Sequence, residues 1–190
     1  MAPQYEQKDK YYKKAKKEGY RARSSYKLLE IQRKYRLITK ESKVLDIGCA
    51  PGGWLQVVKQ FSQAHIVGVD LVAIKPLERV TFIQGDIQDP DVQEQLKGPF
   101  DVVLADIAPK TSGHRQRDQY ISFELSYTSY LVALKTLKKG GHFIVKTFQS
   151  KDTEELVREM REDFMTVKTY FPKSTRERSK EMFIIGMERK

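Results

Sequence analysis

Apolar residues in this chain fall into short, nearly uninterrupted runs separated by stretches of helical period, and that alternation predicts most of its elements. The runs KVLDIG (43–48), HIVGVD (65–70), VTFIQGD (80–86), FDVVLAD (100–106), HFIVKTF (142–148), MTVKTYF (165–171) and MFIIGME (182–188) have strand length and few polar interruptions. The stretch SSYKLLEIQRKYR (24–36) sets Leu28, Ile31 and Tyr35 at helical spacing behind a serine suited to capping. Further helices are expected over WLQVVKQF (54–61), DPDVQEQLKG (89–98), residues 120–139 and TEELVREMREDF (153–164), the third stopped by Gly140 and Gly141. Residues 107–119 contain Pro, Gly and Ser with little apolar sequence and read as a loop. Strands alternating with helices in this way indicate a parallel α/β sheet covered on both faces. The connection PKSTRERSKE (172–181) is short enough to make the last two strands neighbours.

Composition narrows the class. At 39% apolar residues, with ten Tyr, nine Phe and one Trp in 190 residues, the chain is folded and large enough for one domain with a real core. Residues 1–190 read as that single domain, with a basic N-terminal segment over 1–20 expected to be mobile. One cysteine cannot build a disulfide framework, and His65, His114 and His142 are too scattered for a conventional zinc cluster, so no metal is expected. The start MAPQYEQKDK has no leader-like apolar stretch and no run of about eighteen apolar residues occurs, which makes a cytoplasmic protein the expectation.

The net charge of +10 is unevenly spread. Residues 1–40 hold 13 Lys/Arg against 4 Asp/Glu and residues 168–190 hold 7 against 3, whereas the middle holds 15 against 18. A basic excess gathered at the ends is the footprint expected for a polyphosphate partner such as RNA. A solvated basic tail is the plainer alternative. Tyr5, Tyr11, Tyr12, Tyr20, Tyr26 and Tyr35 interleave with the N-terminal cations, either to stack on bases or to pack helices.

Ligands of open α/β sheets sit at the carboxyl ends of the strands. Asp46 with Gly48, then Asp70, Asp86 and Asp106, close the first four strands; each alone fits a cap or a turn, but four together suggest a site. The turn GCAPGG (48–53) lacks the G-x-G-x-x-G spacing of a dinucleotide site, which opposes a nicotinamide oxidoreductase. An acid two places before its first glycine favours a ligand with a cationic amino acid portion. S-adenosylmethionine fits, its sulfonium and ammonium being positive and its adenosine presenting a ribose diol. Asp70 is placed to accept from the ribose hydroxyls, Asp86 to meet the adenine amino group and Trp54 to pack on the cofactor. The duller alternatives are that Asp70 caps a helix, Asp86 makes a turn and Trp54 is core.

The motifs RARSSYKLLEIQ (21–32), VLDIGCAPGGW (44–54), GVD (68–70), QGDI (84–87), ADIAPKTSG (105–113), GGHFIVKTFQ (140–149) and STRERSKEMFII (174–185), in that order, resemble the FtsJ/RrmJ-type RNA 2′-O-ribose methyltransferases. The resemblance runs from about Tyr20 to the C-terminus. It implies a Rossmann-like methyltransferase fold, with a mostly parallel seven-stranded sheet and a final antiparallel strand. It also implies a catalytic set of Lys27, Asp106, Lys146 and Glu181, and contacts to S-adenosylmethionine from Gly52, Gly53, Trp54, Asp70, Asp86 and Asp106. The implied substrate is a uridine of large-subunit ribosomal RNA. Alternatives are the tRNA anticodon loop, less readily an mRNA cap, and, in a different class, a non-catalytic RNA-binding module of ribosome assembly. Cys49 is a mild departure, expected to pack and not react, and a monomer is compatible with all of these readings.

The chemistry gives the four catalytic candidates reasons of their own. A ribose 2′ oxygen attacking a sulfonium methyl needs help to become nucleophilic. A lysine provides it either as a cation beside the developing alkoxide or, when desolvated near another cation, as a proton acceptor. Lys146 has the strand-end position for this, Lys27 supplies the second cation, Asp106 orients Lys146, and Glu181 holds Lys27 or the ribose.

Overall fold

The computed structural model describes residues 10–109, 115–175 and 180–190. The expected strands form as β1 (Val44–Ile47), β2 (Ile66–Asp70), β3 (Val80–Gln84), β4 (Phe100–Ala105), β5 (Leu137–Phe148), β6 (Phe164–Tyr170) and β7 (Glu181–Arg189). They make one sheet in the order β3-β2-β1-β4-β5-β7-β6, in which β7 runs antiparallel to both of its neighbours and the pairings among β1 to β5 are parallel. The last two strands are neighbours, as their short connection requires.

Side chains alternate across a strand, so each buried strand feeds two cores. Val44, Ile66, Leu104, Ile144 and Phe183 face helices α1 (Lys10–Lys17), α2 (Ser25–Tyr35) and α3 (Gly53–Phe61). Leu45, Val67, Val103, Val145 and Ile184 face α5 (Arg115–Thr136) and α6 (Lys151–Asp163), with the short α4 (Pro90–Glu94) at the margin.

Several boundaries differ from the pattern. Lys10–Lys17, inside the segment expected to be mobile, forms α1 and seats Ala15 in the core; residues 1–9 lie outside the described residues. Helix α5 starts at Arg115, inside the expected loop, because polar first turns carry no apolar period; residues 110–114 of that loop are also outside the described residues. Its far end is Thr136, and the glycines expected to stop it belong to β5. Phe100 pairs with Leu137 while Val102 pairs with His142, so Lys138 to Gly141 form an irregularity inside the strand, where Gly140 takes φ +74°. Helix α6 begins two residues early, because Ser150 caps it by accepting the Thr153 N–H at 3.2 Å.

Candidate active site

Period-two alternation gathers the charged candidates on one face. Asp46, Asp70, Asp106, Lys146 and Glu181 each lie an even number of residues from Val44, Ile66, Leu104, Ile144 and Phe183, whose side chains face α2 and α3. Register completes the grouping: Asp106 follows the Ala105–Val145 pair and so adjoins Lys146, which stands opposite Phe183, while Glu181 stands opposite Phe148.

Two buried lysine–carboxylate pairs result. The Lys146 ammonium, on a residue 6% exposed, lies 2.9 Å from Asp106 Oδ1 and donates a hydrogen bond to the Asp106 backbone carbonyl at 3.0 Å. Asp106 Oδ1 itself accepts no directed hydrogen bond, so this contact is an ion pair. Lys27, from α2, pairs with Glu181 Oε1 at the start of β7 and lies over the Phe183 ring, 6.0 Å from its centroid. Buried ion pairs are poor stabilisers compared with apolar residues of similar volume, because desolvation offsets their attraction. Two such pairs at the carboxyl ends of β4 and β5 and the amino end of the antiparallel β7 therefore point to chemistry.

Beside them lies a cradle built on the glycine turn. Gly48, at φ +74°, lets the chain after β4 pass so close that a Cβ there would sit 2.7 Å from Ile107 Cα. Gly52 caps α3 at φ +105°, and a Cβ on Gly53 would meet Ser25 Oγ at 2.8 Å, so these glycines let α3 start against α2. The first turn of α3 leaves backbone N–H groups without intrahelical partners. Asp70 accepts the Ala50 N–H through Oδ2 and the Val72 N–H through Oδ1, both at 2.8 Å, tying the turn to the end of β2. Asp86 accepts the Gln88 N–H at 2.9 Å and stays half-buried.

Trp54 has a structural role where ring packing on a ligand was expected. Its side chain is 2% exposed, its indole N–H donates to the Ser24 carbonyl and its ring lies 5.8 Å from that of Phe183. Only a tertiary contact between α3 and β7 decides this orientation. The side chain packs beside Phe183, the ring over which Lys27 lies, and its backbone remains in the cradle.

Asp46 is the residue whose weight sequence alone understates. It is fully buried, neither carboxylate oxygen has a hydrogen-bond partner among the described residues, and it stands at the end of β1. Burial, then the charges of Asp106 and Asp70, push its carboxyl well above the usual carboxylate range. An orphaned acid beside two others suits a cationic ligand group, which would relieve all three. Cys49, next to it, is buried, and its thiol is pushed up by burial and by Asp46 and Asp70, so it packs as expected. Arg21 braces the turn from outside, donating to the Lys75 carbonyl at 2.7 Å and to those of Pro51 and Pro76.

A family described as FtsJ-like methyltransferase matches residues 20–189. The chain belongs to that family. Among curated relatives of this FtsJ-like methyltransferase, the ribosomal RNA large subunit methyltransferase E of Methanothrix thermoacetophila is 45% identical over 95% of the chain and 72% of its own length. That of Archaeoglobus fulgidus is 42% identical over 95% of the chain and 96% of its own. A solved Plasmodium falciparum structure, described as a ribosomal RNA methyltransferase, superposes with a TM-score of 0.76 at 30% identity, covering 90% of the chain and 98% of its own. A Streptococcus mutans protein described as a methyltransferase in complex with SAH shares the fold at a TM-score of 0.58 and 14% identity, covering 87% of the chain and 95% of its own.

Proposed function

We propose that this protein methylates RNA at a ribose 2′-hydroxyl, using S-adenosylmethionine, and that its substrate is a uridine of large-subunit ribosomal RNA. The observation that carries this reading is the pairing of two buried lysines with separate carboxylates beside an acid-lined glycine cradle. Relatives named for large-subunit ribosomal RNA support the substrate. S-adenosylmethionine, when bound, supplies an electrophilic methyl carbon on a sulfonium. Asp46 suits its ammonium, Asp70 its ribose hydroxyls, Asp86 its adenine, and Gly52, Gly53 and the Trp54 backbone give it room.

The protein's own residues then prepare the nucleophile. Asp106 engages Lys146 from one side, and the remaining ammonium N–H can hold the ribose 2′ oxygen. The Lys146 ammonium lowers the cost of the developing alkoxide, and the hydroxyl proton passes to the Asp106 carboxylate. Lys27, fixed by Glu181, adds a second cation to the acceptor side. Each lysine has its own carboxylate, so the site fixes both where they can position the ribose.

The test is transfer of labelled methyl to ribosomal RNA, tRNA and intact large subunits in parallel, with the modified ribose mapped. Label on one uridine ribose of the large-subunit RNA is expected. Label confined to tRNA refutes the substrate, and label on a base refutes the ribose chemistry.

A further inference from the structure

We propose that the cleft between α1, α2 and the end of β6 binds a single RNA strand leading to the acceptor site, an inference that rests on the RNA methyltransferase reading above. The cleft has a volume of about 470 Å³ and is lined by Lys14, Arg33, Lys34 and Lys173, with Tyr11 and Tyr170 in its walls. All four cations are exposed. Among the described residues the one acid of its lining is Glu30, and its charge is turned inward: Oε2 accepts the Lys173 N–H at 2.7 Å and Oε1 the Ser174 N–H at 3.0 Å. Lys14 also pairs with Glu18 at 3.8 Å, so Arg33, Lys34 and Lys173 carry the cationic face of the cleft.

Aromatic rings aim those cations. The Lys34 ammonium lies 4.7 Å from the Tyr170 ring centroid and the Lys14 ammonium 4.9 Å from that of Tyr26. Tyr11 and Tyr170 are half-buried, with part of each ring open to the cleft. A space of this size takes one or two nucleotides of a single strand and excludes the width of a duplex.

Helix α2 joins the cleft to the chemistry. Lys27, Glu30 and Lys34 occupy successive turns, with Lys27 and Lys34 about 10 Å apart along the axis. The loop held by Glu30 is also held by Arg23, which donates to the Ser174 carbonyl. A strand whose ribose lies at Lys27 thus meets cations along the same helix.

The test measures binding of a fluorescein-labelled oligouridylate of about twelve nucleotides to the wild type and to the Arg33→Gln/Lys34→Gln/Lys173→Gln variant. Affinity should fall about tenfold and the log–log salt slope should become shallower by about two, given about 0.7 per lost phosphate contact on a single strand. The Lys97→Gln/Lys139→Gln variant removes two exposed charges at the opposite end of the sheet and should bind within about twofold of wild type. If the triple variant loses its melting transition, Lys34→Gln alone should bind about threefold more weakly. An unchanged affinity, an equal loss on duplex RNA, or a defect seen only on intact subunits and not on free RNA overturns the cleft. A wild type that binds RNA and transfers no methyl to it overturns the methyltransferase reading instead.

Discussion

Lys146 and Lys27 are 6% and 9% exposed, a burial that lysine tolerates only with a partner in place. Replacing Lys146 with Ala should reduce methyl transfer by at least about a hundredfold, the usual weight of a positioned donor to a developing oxyanion, while calorimetry finds S-adenosylmethionine binding unchanged. Near-normal turnover in that variant refutes its role. Asp46 makes a different prediction. Its carboxyl is held up by burial, Asp106 and Asp70, and a cationic ligand group favours the ionised form. Binding should therefore release a proton and tighten as pH rises, and Asp46→Asn should abolish both effects in calorimetry run in two buffers of different ionisation enthalpy. Flat wild-type affinity without proton release would remove Asp46 from the ligand's ammonium. The lysines and their carboxylates were legible in the sequence because motif order and strand ends locate them. The indole of Trp54 was not, since its direction is set by Phe183, 129 positions along the chain.

At the level of elements, hydrophobic period found every strand core and missed what period cannot encode. The polar first turns of α5 and the irregular stretch from Lys138 to Gly141 have no apolar rhythm, and tertiary pairing of Leu137 with Phe100 makes the latter part of β5. His142 begins the regular part of that strand, and its Nδ1 accepts the Glu188 N–H at 3.2 Å. Burial lowers its pKa below the ordinary value, with Lys138 adding to the shift and Glu188 and Asp101 opposing it. The unfolded chain then protonates first on acidification, so this contribution is complete above about pH 6.5 and is lost as pH falls toward the lowered folded value. The urea midpoint should drop between about pH 7 and 5.5, and less so in His142→Asn, whose amide oxygen can accept the same N–H without titrating. Parallel pH profiles for the two proteins would refute it.

Across the whole molecule the two basic ends meet on one side of the sheet. Lys27 reaches Glu181, Arg23 reaches Ser174 and Glu30 holds Lys173, so among the described residues the basic helix α2 and the basic stretch around Lys173 adjoin. Sequence showed that such an excess existed, but only the strand order brings its halves together. That order also has a consequence for assembly. Strand β6 precedes β7 in the chain but has β7 as its neighbour, and β7 fills the place between β5 and β6. A chain in which β6 docked alone would leave a slot one strand wide with two unpaired edges, whereas a β6–β7 hairpin joins the β5 edge in one step. The cradle around Gly48, Asp70 and Asp86 depends on the earlier strands alone, whereas Glu181 arrives with the inserted strand. The strands that carry the glycine turn thus precede in the chain the strand that completes the Lys27–Glu181 pair.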